Sequence, residues 1–169
     1  AGRIAAKTGC KLMAEYSNAR MERGAGRVQV SRVPYVVDDA LTAFKGTRQL
    51  ILVGAKMPVS FFAYPGKPSL LTPEGCAVTE VACEEDDLVE ALDSLAAELG
   101  AHNIPPAGVA PFSRPALPGG KSTLDGIAAV LGALIPENAI VVDESISTGR
   151  AFAALTAGAL PHDWMNITG

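Results

Sequence analysis

Apolar runs alternate with polar turns rich in glycine and proline, in the order that is typical of an α/β protein. Residues 50–55, LILVGA, are continuously apolar, which predicts a parallel strand that is buried on both faces. Residues 77–82 alternate as a second strand does. Residues 84–99 carry leucines at helical spacing, which predicts an amphipathic helix that ends before Gly100.

The first part of the chain predicts shorter elements. In order, these are a helix end, a strand, a polar loop, an extended segment and a helix, at residues 1–8, 11–16, 18–26, 28–33 and 37–45. The loop contains Arg20, Arg23 and Arg27, which could hold an anion but which we interpret as solvated. Phe61, Phe62 and Tyr64 could stack on a flat ligand, although such a group more often fills a core or a domain interface.

Composition changes after residue 101. Residues 102–120 hold five of the twelve prolines and are predicted to be an extended linker between two domains. The helix expected at 123–135 is capped by Ser122, and four residues are predicted to face inward: Leu124, Ile127, Leu131 and Leu134. The preceding GGKST is not a phosphate-binding loop, because Pro115 stands where that motif needs glycine.

Charge and cysteine content exclude several classes of function. The net charge is −4 without a basic cluster, so we expect no nucleic-acid partner. No apolar run approaches about 20 residues and the first residues lack the apolar core of a signal peptide, so we expect no membrane span and a cytoplasmic protein. The three cysteines are predicted to be buried free thiols, and the two histidines are too isolated for a metal site.

The most informative stretch is residues 139–150, AIVVDESISTGR. An apolar strand leads into two acids, then into hydroxyl residues and Gly149, and a helix is predicted to follow. Unpaired amides at a helix start, together with hydroxyl donors, favour binding of an anion. A helix start that is capped locally by Asp143 or Ser145 explains the same spacing equally well. Ser145 lacks the flanking glycines of a nucleophile elbow, which argues against a hydrolase.

Four segments together, PVSFFAYPGKPS, the proline-rich stretch, VVDESISTGR and PHDWMNITG, resemble the thiamine-diphosphate-dependent 2-keto acid enzymes. The similarity is greatest to the acetolactate-synthase-like and benzoylformate-decarboxylase-like branch. The resemblance implies a partial, Rossmann-like central domain with a parallel sheet at 1–101, a linker at 102–120, and the first elements of a truncated diphosphate-binding α/β domain at 121–169.

The resemblance also implies the site residues. Glu144, Ser145, Ile146 and Ser147 match the loop that contacts the cofactor diphosphate, through backbone amides and the Ser147 hydroxyl. Gly169 matches the first glycine of a turn beside the aminopyrimidine. The family's activating glutamate and its magnesium ligands lie outside the matched region, so no catalytic residue and no metal ligand is assigned here.

The parent enzyme is therefore expected to bind thiamine diphosphate and Mg²⁺, to act on a small 2-keto acid by decarboxylation or carboligation, and to form a homodimer or homotetramer. The chain alone is expected to be inactive and to hold no cofactor firmly. His162 is predicted to lie on the surface. Two alternatives remain: a non-catalytic module that binds a nucleotide or FAD in the crevice after 50–55, for which no fingerprint is present, and a structural or interaction domain.

Overall fold

A computed structural model describes residues 1–166 and confirms an α/β chain with parallel strand pairs. Its helices are α1 (Gly2–Thr8), α2 (Val37–Phe44), α3 (Leu88–Glu98), α4 (Leu124–Leu134) and α5 (Phe152–Leu155), with a 3-10 turn at Thr148–Ala151. Its strands are β1 (Met13–Ala14), β2 (Arg20–Arg23), β3 (Ser31–Arg32), β4 (Gln49–Val53), β5 (Ala77–Ala82), β6 (Ala139–Asp143) and β7 (His162–Asn166).

The chain divides into two compact units. The first unit comprises Ala1–Tyr16 and Val30–Pro106, and the second comprises Ser17–Gln29 and the chain from Ala107 onward. The division differs from the predicted domain bounds in two respects. Residues 17–29 lie within the range 1–101 but fold with the later part of the chain, and the boundary after Pro106 falls inside the range 102–120 that is predicted to be a linker. The assignment of the two units to named domains of an enzyme family stays a prediction.

In the first unit, β4 and β5 form a parallel pair and α3 packs against both strands. The strands predicted at 50–55 and 77–82 are therefore confirmed. Burial of the first on both faces is wrong, because Ile51 is 43% exposed in this two-stranded pair. The largest core cluster of the unit lies around α2 instead, and it comprises Val33, Val37, Ala40, Phe44 and Leu71.

Helix α3 begins at Leu88, four residues later than the predicted start, because Asp87 caps it. The Asp87 carboxylate accepts hydrogen bonds from the amides of Val89 and Glu90, each at 3.0 Å. We expect Asp87→Ala to lower the free energy of unfolding by about 1 kcal/mol, since two helix amides lose their acceptor. Urea denaturation measures this loss. The control, Asp93→Ala at an exposed position within α3, should change it by less than about 0.5 kcal/mol.

Five aromatic side chains of the first unit form a row of neighbouring rings. Tyr16, Tyr35, Phe61, Phe62 and Tyr64 lie with successive ring centroids 4.7–6.0 Å apart. Phe61 is 48% exposed and Phe62 is 56% exposed, so these two rings do not lie in a core, whereas Tyr64 is partly buried against the cluster around α2. A place for these rings in a domain interface stays a prediction. Edge-to-face contacts between the rings stabilise the row, because the positive edge of one ring meets the negative face of the next.

In the second unit, β7 lies between β2 and β6, parallel to β6 and antiparallel to β2. The loop predicted at residues 18–26 is therefore wrong in its centre. Two of its arginines are ion-paired, Arg20 with Asp163 at 2.8 Å and Arg27 with Glu22 at 3.2 Å. Strand β2 has no apolar alternation, because it forms through the hydrogen-bonding edge of β7 rather than through burial of its own side chains.

Helix α4 covers nearly the predicted residues but buries a different face. Thr123, rather than Ser122, caps it by accepting the Gly126 amide at 3.0 Å. Leu124 and Leu134, predicted to face inward, are 50% and 60% exposed. The buried positions are the small residues Ala128, Gly132 and Ala133. Small side chains let the backbone of α5 approach α4 more closely than leucines allow, which decides the packing face.

Part of the stretch predicted as a linker is held in place by backbone hydrogen bonds. The Gln29 amide donates to the Gly108 carbonyl at 2.8 Å, and the Ser113 amide donates to the Gly158 carbonyl at 2.8 Å. The prolines favour an extended backbone, and the non-proline residues between them still donate and accept. This segment therefore belongs to the second unit rather than to a solvated connection.

The remaining findings concern the cysteines, membrane-spanning helices and metal sites. Cys10 is exposed, and Cys76 and Cys83 are partly exposed, so the prediction of buried thiols is wrong. Within residues 1–166, no helix is long and apolar enough to cross a membrane. In the same range, no group of three or more His, Cys, Asp or Glu residues is arranged to hold a metal ion.

Candidate functional site

The candidate site is the turn at residues 144–147, which follows the carboxyl end of β6. Asp143 is the last residue of that strand, and its carboxylate reaches forward over the turn. Its Oδ1 atom accepts a hydrogen bond from the Ser145 amide at 2.8 Å and a short one from the Ser145 hydroxyl. This closed loop from an aspartate to the residue two positions later is a common way to fix a turn.

The second oxygen of Asp143 joins the turn to the core of the unit. Asp143 Oδ2 accepts the indole N–H of Trp164 at 3.2 Å. Trp164 lies on β7, is 3% exposed, and packs in a cluster with Ile135 and Ala159. The Arg23 guanidinium lies 5.0 Å from the centre of the Trp164 ring, a cation–π contact. The turn is thus connected to a buried and well-packed side chain.

We call the hydrogen bonds of Asp143 to Ser145 and Trp164 the clasp. The residues that follow Ser145 are open to solvent. Ile146 is 93% exposed, and Glu144 and Ser147 are also exposed. Gly149 then passes close to Ser145, where a Cβ atom would overlap the Ser145 hydroxyl. The amide of Ile146 and the backbone and hydroxyl of Ser147 therefore remain for contact with a ligand, whereas both donors of Ser145 are engaged by Asp143.

The structure corrects the expected anion site in one respect. A helix was predicted to begin at the turn, but Thr148–Ala151 is a 3-10 turn and α5 has only four residues. So short a helix adds little dipole at its start. Any affinity for an anion must come from the turn's own donors. The assignment of Glu144, Ser145, Ile146 and Ser147 to a cofactor stays a prediction, and Gly169 lies outside the described residues.

Two buried polar groups near the end of the chain were missed by sequence analysis. His162 was predicted to lie on the surface but is 4% exposed. Its Nδ1 atom donates to the Leu160 carbonyl at 2.7 Å, and its Nε2 atom is buried without a partner among residues 1–166. Burial lowers the pKa of His162, and the nearby Arg23 guanidinium lowers this pKa further.

Asn166 is the second of these groups. It is paired with Asp143 across β6 and β7, and its Oδ1 atom is buried without a partner within the described part of the chain. The orphaned acceptor and the turn thus lie at the same edge of the sheet, beyond the carboxyl ends of two parallel strands, where α/β proteins commonly bind ligands. In the sequence, the signal that could have pointed to Asn166 is its place within the segment PHDWMNITG.

The first unit has a separate crevice of about 590 Å³, which is lined by residues within β4 and β5 and by the segments that follow them. Three carboxylates line it: Glu80, Glu84 and Glu85. The lining cation, Lys56, lies 3.0 Å from Glu84 and is already neutralised. The Cys83 thiol lies 3.1 Å from Asp86, whose hydrogen bond raises the Cys83 pKa and keeps the thiol protonated. The crevice is therefore unfavourable for nucleotide phosphates.

Comparison with known proteins identifies one informative relative. Over its full length the chain is 46% identical to the Mycobacterium tuberculosis (strain ATCC 25618 / H37Rv) protein named "Putative acetolactate synthase large subunit IlvX", and it spans 32% of that protein. No protein-family model matches the chain, and no solved structure matches it. The chain is thus similar throughout to about a third of an acetolactate-synthase-like protein, which supports the resemblance found in its sequence.

Proposed function

We propose that the chain forms part of a thiamine-diphosphate-dependent enzyme that acts on 2-keto acids, and that the turn at 144–147 helps to hold the cofactor's diphosphate. The observation that carries the proposal is the identity of 46% across all 169 residues to a protein named as an acetolactate synthase large subunit. The position of the turn supports it, because the turn lies beyond the carboxyl ends of the parallel strands β6 and β7.

The chemistry of the donors fits one side of a diphosphate. The Ser147 hydroxyl and the Ile146 amide are donors without charge, and they lie on an exposed loop that a phosphate can approach. The exposed Ile146 side chain does not oppose binding where the contact is made by the main chain. The carboxylate of Glu144 repels a bare anion, so this turn needs a cation from elsewhere to hold a diphosphate firmly.

The remaining parts of the activity are assigned to other segments of the parent enzyme. Thiamine diphosphate, when bound, supplies a carbon nucleophile and an electron sink for 2-keto acids. The magnesium ligands and the glutamate that the resemblance implies would come from regions that this chain does not match, and the parent would be a homodimer or homotetramer. Orientation of the diphosphate is the role left to the turn.

We expect the chain to bind thiamine diphosphate weakly, with a dissociation constant of about 1 mM or above, because only part of a site is present. Nuclear magnetic resonance detects such binding. Addition of thiamine diphosphate with Mg²⁺ should shift the Ile146 and Ser147 amide resonances, whereas thiamine, which lacks the diphosphate, should not. Equal shifts with thiamine, or none at about 10 mM cofactor, would contradict the proposal.

Two matched serine variants sharpen this test. Ser147→Ala removes a proposed donor and should abolish most of the cofactor-induced shift. Ser122→Ala removes an exposed hydroxyl of the same unit and should leave the shift unchanged. Pyruvate consumption by the chain alone, with cofactor and Mg²⁺ present, is expected to be zero, and turnover would show that the chain contains more of the site than we propose.

The charge of the first unit's crevice argues against the alternative of a nucleotide- or FAD-binding module. Titration of FAD into the protein, followed by flavin fluorescence, should show no saturable binding. Raising the salt concentration should not create binding, because burial of phosphates beside Glu80, Glu84 and Glu85 remains unfavourable. Saturable FAD binding that is lost on replacement of Lys56 by glutamine would favour the alternative instead.

A further inference from the structure

We propose that Asp143 is a positioning residue that fixes the shape of the turn at 144–147 and couples it to Trp164. The inference rests on the proposed function for the role of the turn. The shape of the turn itself is a property of the free protein and can be measured without any ligand. Sequence analysis considered Asp143 only as a local cap and gave it no part in shaping a ligand site, although an aspartate two residues before a serine is a known turn signal.

The geometry assigns a separate task to each carboxylate oxygen. Oδ1 holds the amide and the hydroxyl of Ser145, and Oδ2 holds the indole N–H of Trp164 at 3.2 Å. Hydrogen bonds to a charged acceptor are stronger than those between neutral groups. Ser145 therefore cannot leave its position over Asp143 without loss of two hydrogen bonds, and Asp143 cannot leave its position without loss of the bond to Trp164.

The hydrogen bonds of Asp143 give Ser145 a structural task that the sequence did not show. Ser145 uses its amide and its hydroxyl on Asp143, so it is a clamp and not a ligand donor. Ser147 has no comparable side-chain cap and is exposed. Since Gly149 passes against the Ser145 hydroxyl, the clamp also sets where the chain leaves the turn. Ligand contact is left to Ile146 and Ser147, on a loop whose base is rigid.

Trp164 makes the coupling observable because it is the chain's one tryptophan. Its indole N–H gives one resonance, and that proton lies in the hydrogen bond to Asp143. Trp164 also contacts Phe152, with ring centroids 5.9 Å apart. A change in the turn that moves Asp143 should therefore shift the indole N–H resonance of Trp164. This resonance is identified without further assignment because the chain has one tryptophan.

The first test uses Asp143→Asn in the full chain without ligand. An amide side chain has one acceptor oxygen, so its NH₂ group must face either Ser145 or Trp164 as a second donor. We expect the indole N–H resonance to move and the Ser145 amide to exchange with solvent about tenfold faster or more. Asp125→Asn, an exposed acid at the start of α4, should change neither signal. Unchanged indole and Ser145 signals in Asp143→Asn would overturn the proposal.

Ser145 variants provide a second test that leaves Asp143 and the core intact. Ser145→Ala removes the hydroxyl donor and should accelerate exchange of the residue 145 amide, which donates to Asp143, whereas Ser145→Thr keeps the hydroxyl and should restore slow exchange of that amide. With inorganic pyrophosphate as the probe, Ser145→Ala should retain most of the Ile146 shift and Ser147→Ala should lose it. A larger loss in Ser145→Ala than in Ser147→Ala would make Ser145 a ligand donor and would overturn the division of tasks.

The two hypotheses fail in different ways. If pyrophosphate shifts no resonance of the turn in the natural chain while Asp143→Asn still disturbs Ser145 and Trp164, the proposed function fails and the clasp stands. If the cofactor shifts the turn but Asp143→Asn leaves the ligand-free signals unchanged, the proposed function stands and the positioning role is wrong.

Discussion

Replacing Gly132 with alanine is expected to lower the free energy of unfolding of the second unit by about 3 kcal/mol. The new Cβ would overlap the Leu155 carbonyl oxygen and would lie 3.0 Å from the Pro115 ring. The backbone of α5 would then have to move away from α4, which opens the core around Ile135 and Trp164. Chemical denaturation, followed by the fluorescence of Trp164, measures the loss.

The sign of this effect makes the prediction specific. Within a helix, glycine to alanine normally stabilises a protein by roughly 1 kcal/mol, because alanine has the higher helix propensity. Gly119→Ala is the matched control, since a Cβ there meets nothing within 4 Å. It should change stability by less than about 0.5 kcal/mol. A neutral or stabilising Gly132→Ala would show that α4 and α5 do not approach as closely as described.

The second large effect is a loss of stability in acid that originates at His162. Its pKa is lowered in the folded protein, chiefly by burial, relative to an ordinary value near 6.5. Below about pH 6.5 the unfolded chain takes up a proton that the folded chain resists, so the free energy of unfolding decreases as pH falls through that value towards the lowered pKa. Above about pH 7.5 this histidine should add no pH dependence. The charged groups nearest to His162 are Arg23, on the neighbouring strand β2, and Asp163, on the same strand β7.

Urea denaturation at pH 7.5 and at pH 5.5 measures this contribution. His162→Asn keeps a donor where Nδ1 stood, so it should lose stability at both pH values but show a smaller difference between them. His102→Asn changes an exposed histidine and should keep the natural difference. If the two variants have the same pH dependence, protonation of His162 is not the cause. Carboxylates contribute equally to all three proteins and cancel in the comparison.

The elements that sequence analysis placed correctly are those with strong local signals. Strands β4 and β5 follow from an apolar run and an alternating one, and α1 ends at Gly9 in the left-handed conformation that glycine favours. Helix α3 follows from its leucine spacing, with an error of four residues at its start. The start was misplaced because four consecutive acids precede the helix and the pattern alone does not show which of them is the cap.

The candidate site could be located from the sequence, and the resemblance assigned its hydroxyl contact to Ser147, but the sequence did not show that Ser145 is committed to the fold. The succession of strand, acids and hydroxyls marked the turn, and the resemblance named Glu144, Ser145, Ile146 and Ser147. Which serine is committed to the fold depends on the orientation of Asp143 and on Trp164, 21 residues further along the chain. That information is in the packing of β6 beside β7, which no short window of sequence contains.

The sequence by itself determined the α/β class, the presence of strands β4 and β5, and the position of the turn after β6, because these depend on residue spacing within about ten positions. Only the tertiary structure decided that Arg20–Arg23 is a strand, that His162 is buried, that α4 packs through Gly132, and that Asp143 holds Ser145. The physical reason is the same in each case. A polar strand needs the free edge of another strand, and a buried histidine needs neighbours that exclude water. Close helix contact needs a facing backbone, and these partners lie far away in the chain.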